Sequence, residues 1–388
     1  MNLLFLMGTY PSFGGVEIVS TVLSNEFIRR GYNVLLVSFE QPKMDIEPME
    51  LDKRVKFYPL SKPVLSKANC CKLHNILLYN EVDFIINQWV VPWYVARLCD
   101  KAMRGTKCKM IGVHHNIPNL NHQIENLRIS LRNNISNSIL NRIKLSLVTF
   151  ISRLSLRYTI SKCTRYITLS PSFIPIAQRF TWMKHCDKFD ALANPLTIEP
   201  YHNEPLSKYN EIVYIGRIEY NQKCNYRIVD IWEKLEKKHP EWCLKIVGDG
   251  PDRRDLQKRI QQKRLQNITI EGFQNPLPFY RTAKMLMLTS AYEGFPLVLI
   301  EGMEYGVVPL VYDSYAAVHD IIDNGINGFI VPQPYSDEKF VKRIEHLMQD
   351  DDLLSTLSKS AMIKAKEFSL DNIVNKWDNI LTIIKNNK

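Results

Sequence analysis

The sequence predicts a doubly wound α/β protein, two Rossmann-like domains facing each other across a cleft. Three observations carry this. Short, uninterrupted apolar runs alternate with helical patterns along the whole chain, as expected for buried parallel strands joined by crossover helices. Residues 193–205, ANPLTIEPYHNEP, break the alternation with three prolines and read as an interdomain linker. At 388 residues the chain suits two domains of ordinary size.

In the first domain, residues 1–195, strands are expected at NLLFLM (2–7), NVLLVSF (33–39), DFIINQ (83–88), CKMIGVH (108–114) and RYITLS (165–170). A helix over 16–30, closed by Gly31, separates the first two. In the second domain, residues 206–370, strands are expected at EIVYIG (211–216), CLKIVG (243–248), ITIEG (268–272), AKMLMLTS (283–290) and VVPLVY (307–312). Helices over 227–239 and 253–266 fill two of the gaps. No repeat of solenoid period is present.

Composition narrows the function classes. The eight cysteines show no C-x-x-C spacing, which points to reduced thiols and a cytoplasmic setting. The N-terminal apolar run is short and lacks a basic flank, so it reads as a strand rather than a signal peptide. No apolar stretch is long enough for a membrane span. The net charge of +10 is concentrated: residues 101–170 carry twelve Lys and Arg against one acid, Glu125.

The segment SAYEGFPLVLIEGM (290–303) sets Glu293 and Glu301 at either end of an apolar run. Tyr292–Gly294 make a turn after a buried strand. Pro296 suits the first position of a helix, where its missing N–H costs nothing. Glu293 then stands before the helix N-terminus, and the free amides of Leu297 and Val298 form a seat for phosphate. Glu293 as a helix cap and Glu301 as a solvated helical residue is the plainer alternative.

GRIEYNQK (216–223) follows a strand. Arg217 and Lys223 there can converge on an anion or stand as solvated surface cations. GDGPDRRDL (248–256) is not a dinucleotide fingerprint, because Arg253 occupies the third glycine position, and it reads as a structural turn. YPSFGGVE (10–17) sets Gly14 and Gly15 between strand and helix, for a tight turn or for backbone approach to a ligand. GVHHN (112–116) ends a strand with His114 and His115. Metal binding is not expected there, since no ligand set is completed. The acidic QDDDLL (349–354) reads as a helix cap.

These pieces together resemble the retaining GT-B glycosyltransferases of the group-4 family, which build bacterial polysaccharide and lipopolysaccharide. The resemblance runs along nearly the whole chain. It rests on GGVE, LSPSF (169–173), NP (194–195), GR…QK, GDGP…L, EGFPLVLIE and NGINGFIVP (324–332), in the family's order. It implies transfer of a sugar from a nucleotide diphosphate donor, most commonly a uridine nucleotide, to a glycan or lipid-linked glycan, with the anomeric configuration retained. Glu301 would hold the ribose hydroxyls, and Glu293 would meet the donor sugar near the reacting carbon. The amides of Gly294, Phe295 and Leu297 would face sugar and phosphate. Arg217 and Lys223 would neutralise the diphosphate, with Gly14 and Gly15 approaching from the other domain. The family's histidine would be His115 by its HN pairing, with His114 as the alternative. No metal is implied, and residues 371–388 would return as a helix to the first domain.

The resemblance also gives the basic window a use. Residues 127–160 mix apolar side chains with Arg128/Arg132 and Arg153/Arg157, each pair one helical turn apart. They could lie on an anionic membrane surface at its cytoplasmic face, or be core-facing helices with a basic outer side. Two rival functions stand beside transfer. A nucleotide-sugar epimerase of the same fold would need no acceptor. A nucleic-acid-binding module would need interleaved stacking aromatics that the window lacks, so no nucleic-acid partner is expected.

Overall fold

The computed structural model describes residues 1–43, 49–132, 138–202 and 206–386, with His122, Arg132 and Ser138 described by backbone alone. The chain divides into two compact units: Met1–Thr197 together with Leu370–Lys388, and Ile198–Ser369.

The first unit contains strands β1 (Asn2–Thr9), β2 (Asn33–Glu40), β3 (Lys56–Pro59), β4 (Phe84–Asn87), β5 (Lys109–His114), β6 (Arg165–Thr168) and β7 (Phe189–Ala191). Its helices are α1 (Gly15–Arg29), α2 (Lys67–Tyr79), α3 (Trp93–Ala102), α4 (His122–Arg132), α5 (Ser138–Lys162) and α6 (Phe173–Thr181). The strands form one parallel sheet in the order β3-β2-β1-β4-β5-β6-β7. The order reverses between β1 and β4, and ligands of such sheets bind at the strand ends beside that reversal.

The second unit contains β8 (Tyr209–Ile215), β9 (Cys243–Val247), β10 (Ile268–Gly272), β11 (Ala283–Leu288), β12 (Val308–Tyr312) and β13 (Phe329–Val331). Its helices are α7 (Asn225–Leu235), α8 (Arg253–Gln262), α9 (Leu277–Thr282), α10 (Leu297–Glu304), α11 (Val318–Ile321), α12 (Asp337–Gln349) and α13 (Asp351–Ala365). The sheet order is β10-β9-β8-β11-β12-β13, again parallel, with its reversal between β8 and β11.

The central strands are apolar on both faces because helices cover both. Leu3 to Leu6 of β1 and Met285 to Leu288 of β11 are essentially inaccessible to solvent. Strands β3, β7 and β13 are absent from the apolar-run reading. Each is an edge strand of three or four residues, too short to stand out as an apolar run. Helix α8 stops at Gln262, four residues before the expected end, and Arg264 takes a left-handed conformation at φ 56° just beyond. Asp350 caps α13, its carboxylate accepting from the Leu353 amide at 2.8 Å.

The last helix, α14 (Leu370–Asn386), belongs to the first unit. It buries Ile373, Val374, Trp377, Leu381 and Ile384. Each such side chain contributes roughly 1.5–3 kcal/mol by leaving water. Polar contacts fix its register against α1: Arg30 reaches Asp378 at 2.9 Å and Asp371 at 3.0 Å, and the Tyr32 hydroxyl donates to Asp378 at 2.6 Å.

The basic window becomes α4 and α5. Arg153 stacks on the Trp182 ring at 4.0 Å, and Arg157 donates to the Thr181 carbonyl at 2.9 Å. Both guanidinium groups therefore fasten α5 to the end of α6 and are not simply presented outward. Residues 133–137 of the window and the Arg132 side chain lie outside the described residues, as do 203–205 of the proline-rich segment. Among the described residues no helix is long and apolar enough to cross a membrane.

Candidate active site

In the second unit the loops after β8 and β11 lie on the two sides of the sheet reversal, and a tight polar cluster joins them. Lys223, from the β8–α7 loop, places its Nζ 2.5 Å from Glu293 Oε1. The same carboxylate oxygen accepts from the Ser290 hydroxyl at 2.7 Å. The Ala291 amide donates to the Gln222 carbonyl at 2.7 Å, and the Gln222 side chain donates to the Tyr292 carbonyl at 3.3 Å. Glu293 is buried and Lys223 is four-fifths enclosed. A buried carboxylate is costly unless paired and hydrogen-bonded, and the sequence-distant lysine supplies that partner.

Arg217 is placed differently. Its side chain is 65% exposed and its nearest carboxylate, Glu219, lies at 3.6 Å. The two cations expected to act together thus stand apart in character: one is engaged with Glu293, the other is open to solvent.

Helix α10 begins at Leu297, and Pro296 is its cap residue at φ −72° and ψ 103°. The sequence reading had Pro296 as the first helical residue, and the structure shifts it outward by one. A ψ in the extended region turns the chain from the loop into the helix. The first-turn amides of Leu297 and Val298 have no intrahelical acceptor, and no side chain caps them. Gly294 and Phe295 are buried just before, with the Phe295 ring against Phe368 at 5.6 Å.

Glu301 is buried on α10 and accepts from the Tyr280 hydroxyl at 2.9 Å. Burial and the Glu301 charge raise the Tyr280 phenol well above its usual range, so the phenol stays protonated and can donate. Glu301 is not a solvated helical residue. Near Glu293, burial and that carboxylate's charge likewise hold the Tyr315 phenol protonated. Its hydroxyl has no hydrogen-bond partner among the described residues.

The GDGP turn braces this site. Gly248 has φ +148°, and a β-carbon there would fall 1.9 Å from the Gly216 carbonyl oxygen. The Ile218 amide donates to Asp249 at 2.9 Å and the Tyr220 amide to Asp252 at 2.6 Å. The turn therefore clamps the start of the loop that carries Arg217 and Lys223.

The first unit holds the remaining candidates at its own strand ends. Gly14 caps α1, and Gly15 is its first residue. Gly14 adopts an ordinary φ of −73°. A β-carbon there would meet only the movable carboxylate end of Glu17. A cavity of about 220 Å³ beside this turn is lined by Tyr10, Glu17, Ile18 and Phe57, and burial raises the Glu17 pKa.

His114 is enclosed, with Nδ1 at 2.5 Å from the Tyr166 hydroxyl. His115 keeps partial exposure, its Nε2 bonded to Gln88 Oε1 at 2.5 Å. Burial lowers His114 to about 4, and burial together with His114 lowers His115 further. Both rings are neutral at pH 7. Of the pair, His115 is the one with surface to offer a ligand.

The sequence reading did not single out Gln88, Gln222, Tyr280, Ser290 or Tyr315. Ser290 lies three residues before Glu293 in the same turn, so a side-chain turn pattern could have flagged it. Gln222 adjoins Lys223 in the same loop, and Gln88, Tyr280 and Tyr315 are brought in by tertiary packing. Among the described residues no group of three or more His, Cys, Asp or Glu is arranged to hold a metal ion.

Residues 199–364 match the family described as Glycosyl transferases group 1. An uncharacterized glycosyltransferase of Haemophilus influenzae is 23% identical over 97% of this chain and 99% of its own length. A Campylobacter jejuni α-1,4-N-acetyl-D-galactosaminyltransferase is 26% identical over 46% of this chain and 50% of its own. Its name gives a diphosphoundecaprenol-linked glycan as acceptor. The solved structure of HepE from Anabaena, in complex with UDP and glucose, superposes with a TM-score of 0.72 at 14% identity. That superposition covers 98% of this chain and 99% of HepE, and the two units have the GT-B fold.

Proposed function

We propose, from the match of residues 199–364 to the Glycosyl transferases group 1 family and the full-length likeness to a glycosyltransferase, that the chain transfers a sugar from a nucleotide diphosphate sugar to a lipid-linked glycan in cell-surface polysaccharide synthesis. The donor is UDP-linked and the anomeric configuration is retained. The observation that carries the reading is the Lys223–Glu293 pair joining the two loops at the sheet reversal of the second unit. UDP and glucose in the HepE complex, and the acceptor in the Campylobacter relative's name, support donor and acceptor class.

In this mechanism Glu301, oriented by Tyr280, accepts hydrogen bonds from the ribose hydroxyls. The amides of Leu297 and Val298, with those of Gly294 and Phe295, receive phosphate and sugar oxygens. Arg217 swings from solvent onto the diphosphate. Lys223 shares its charge between Glu293 and the departing phosphate as negative charge develops there. Fixed donors aimed at a leaving group supply the largest expected part of the rate. Glu293 faces the sugar near its reacting carbon, where positive charge grows. His115 and the Gly14–Gly15 turn are the first unit's own candidates for ligand contact, and the acceptor attacks on the face the diphosphate leaves. Arg217 and Lys223 carry the charge a metal would otherwise meet, so none is required.

The test is a thermal-shift screen of nucleoside diphosphates and their sugars with EDTA present, followed by NMR of the product anomer. A donor that binds the folded state raises the melting temperature by mass action. Arg217→Ala should abolish most transfer with no change in melting. Activity lost in EDTA and restored by magnesium would overturn the metal-free reading, and an inverted product would overturn retention.

A further inference from the structure

Helix α5 carries apolar side chains on both sides. Its inward side packs Leu156 and Ile160 into the core and adds hydroxyl groups beside them. Ser155 donates to the Val91 carbonyl at 2.7 Å, Ser152 accepts from Asn121 at 2.8 Å, and Thr159 is fully buried. Its outward side carries Ile139, Leu140, Ile143, Leu147, Phe150, Ile151 and Leu154, each between 45% and 73% exposed. At about 100° per residue these seven fall within a band about 120° wide. The Phe150 ring meets Trp182 at 6.3 Å, and Trp182 is itself 52% exposed and held by the Arg153 guanidinium. The result is one contiguous apolar surface with an aromatic end.

A soluble protein leaves such a surface bare only when something covers it. Its charge surroundings indicate what. Exposed Arg142, Lys144 and Arg157 border the band, and residues 126–186 contain no Asp or Glu. A second copy of the same face would bring like charges together with no acid in that stretch to pair them. An anionic lipid headgroup layer supplies both the negative charge and, below it, the apolar medium.

We propose that the outward face of α5, with Trp182, inserts into the headgroup–acyl boundary of an anionic bilayer. The apolar band provides the depth and Arg142 and Lys144 provide the selectivity for negative lipid. Arg153 acts through Trp182, fixing the ring at the boundary where indole is favoured. Insertion does not depend on the donor or the acceptor, so its test and that of the transfer reading can fail separately.

The experiment is co-sedimentation of the full chain with vesicles of phosphatidylcholine alone and with vesicles containing phosphatidylglycerol. The wild type should prefer the anionic vesicles and leave them as salt rises, since screening shortens the attraction to about 8 Å at physiological ionic strength. Ile143→Ser, Leu147→Ser and Leu154→Ser combined should lower partitioning by more than about tenfold, with an unchanged melting temperature because these positions are exposed. Arg142→Glu with Lys144→Glu should remove the preference for anionic lipid. Equal partitioning of wild type and the triple variant would overturn the proposal. So would a wild type that ignores vesicles but sediments as a dimer which the triple variant breaks.

Discussion

Lys223 and Glu293 are 70 residues apart in the chain and their charged atoms are 2.5 Å apart in space, at 19% and 7% side-chain exposure. Removing the lysine leaves a buried carboxylate with only Ser290 and Gln222 nearby. Lys223→Ala should therefore destabilise the fold by about 3 kcal/mol, in the range seen when one member of a buried pair is deleted. Adding Glu293→Gln to it should restore most of that loss. Urea unfolding of the two single variants and the double variant measures the coupling, and strictly additive effects would show that the pair is not an energetic unit.

Glu301 and Glu293 should separate binding from chemistry. Glu301→Gln, and Tyr280→Phe through loss of the 2.9 Å hydrogen bond, should each weaken UDP binding by about tenfold, the worth of one hydrogen bond to a charged group. Glu293→Gln should bind UDP nearly as wild type does and turn over far more slowly. Calorimetry with UDP decides it; unchanged affinity in the Glu301 variant would remove the ribose role.

Gln88 positions His115. A neutral imidazole bonded through Nε2–H to Gln88 Oε1 presents Nδ1 as an acceptor. Gln88→Leu should lower kcat by about tenfold while leaving UDP affinity unchanged, and Gln88→Glu should recover much of the rate. A Gln88→Leu enzyme with wild-type kcat would show the contact to be packing alone.

His114 makes the fold acid-sensitive. Its pKa is lowered from 6.5 to about 4 by burial. Between those values the unfolded chain binds a proton that the folded chain refuses, so stability falls as pH drops below about 6.5. The slope is about 1.4 kcal/mol per pH unit until the folded value is reached. His115, lowered by burial and by His114, contributes a like limb, so His114→Gln should roughly halve the combined slope in urea unfolding measured from pH 7 to pH 4. An unaltered pH profile would place the sensitivity elsewhere.

Much of the architecture was legible because strand burial is written locally. Leu3–Leu6 and Met285–Leu288 are covered on both faces, and a doubly covered strand needs an uninterrupted apolar run. Strands β3, β7 and β13 escaped because three or four residues are too few to show a run. The position of Glu293 in the turn before α10 followed from local chemistry as well, through the glycine at 294 and the proline at 296.

The sequence by itself determined the class of fold, the turns that carry the candidate residues and the family that their order resembles. Those properties depend on neighbours a few positions away. Tertiary structure decided who partners whom. Strand order puts β8 beside β11, and only that adjacency delivers Lys223 to Glu293; the packing of α10 beside α9 delivers Tyr280 to Glu301, and β4 beside β5 delivers Gln88 to His115. It also left one apolar band of α5, Ile139 to Leu154, exposed while burying Leu156 and Ile160, because helical periodicity defines faces and only the packing of neighbours chooses which one is buried.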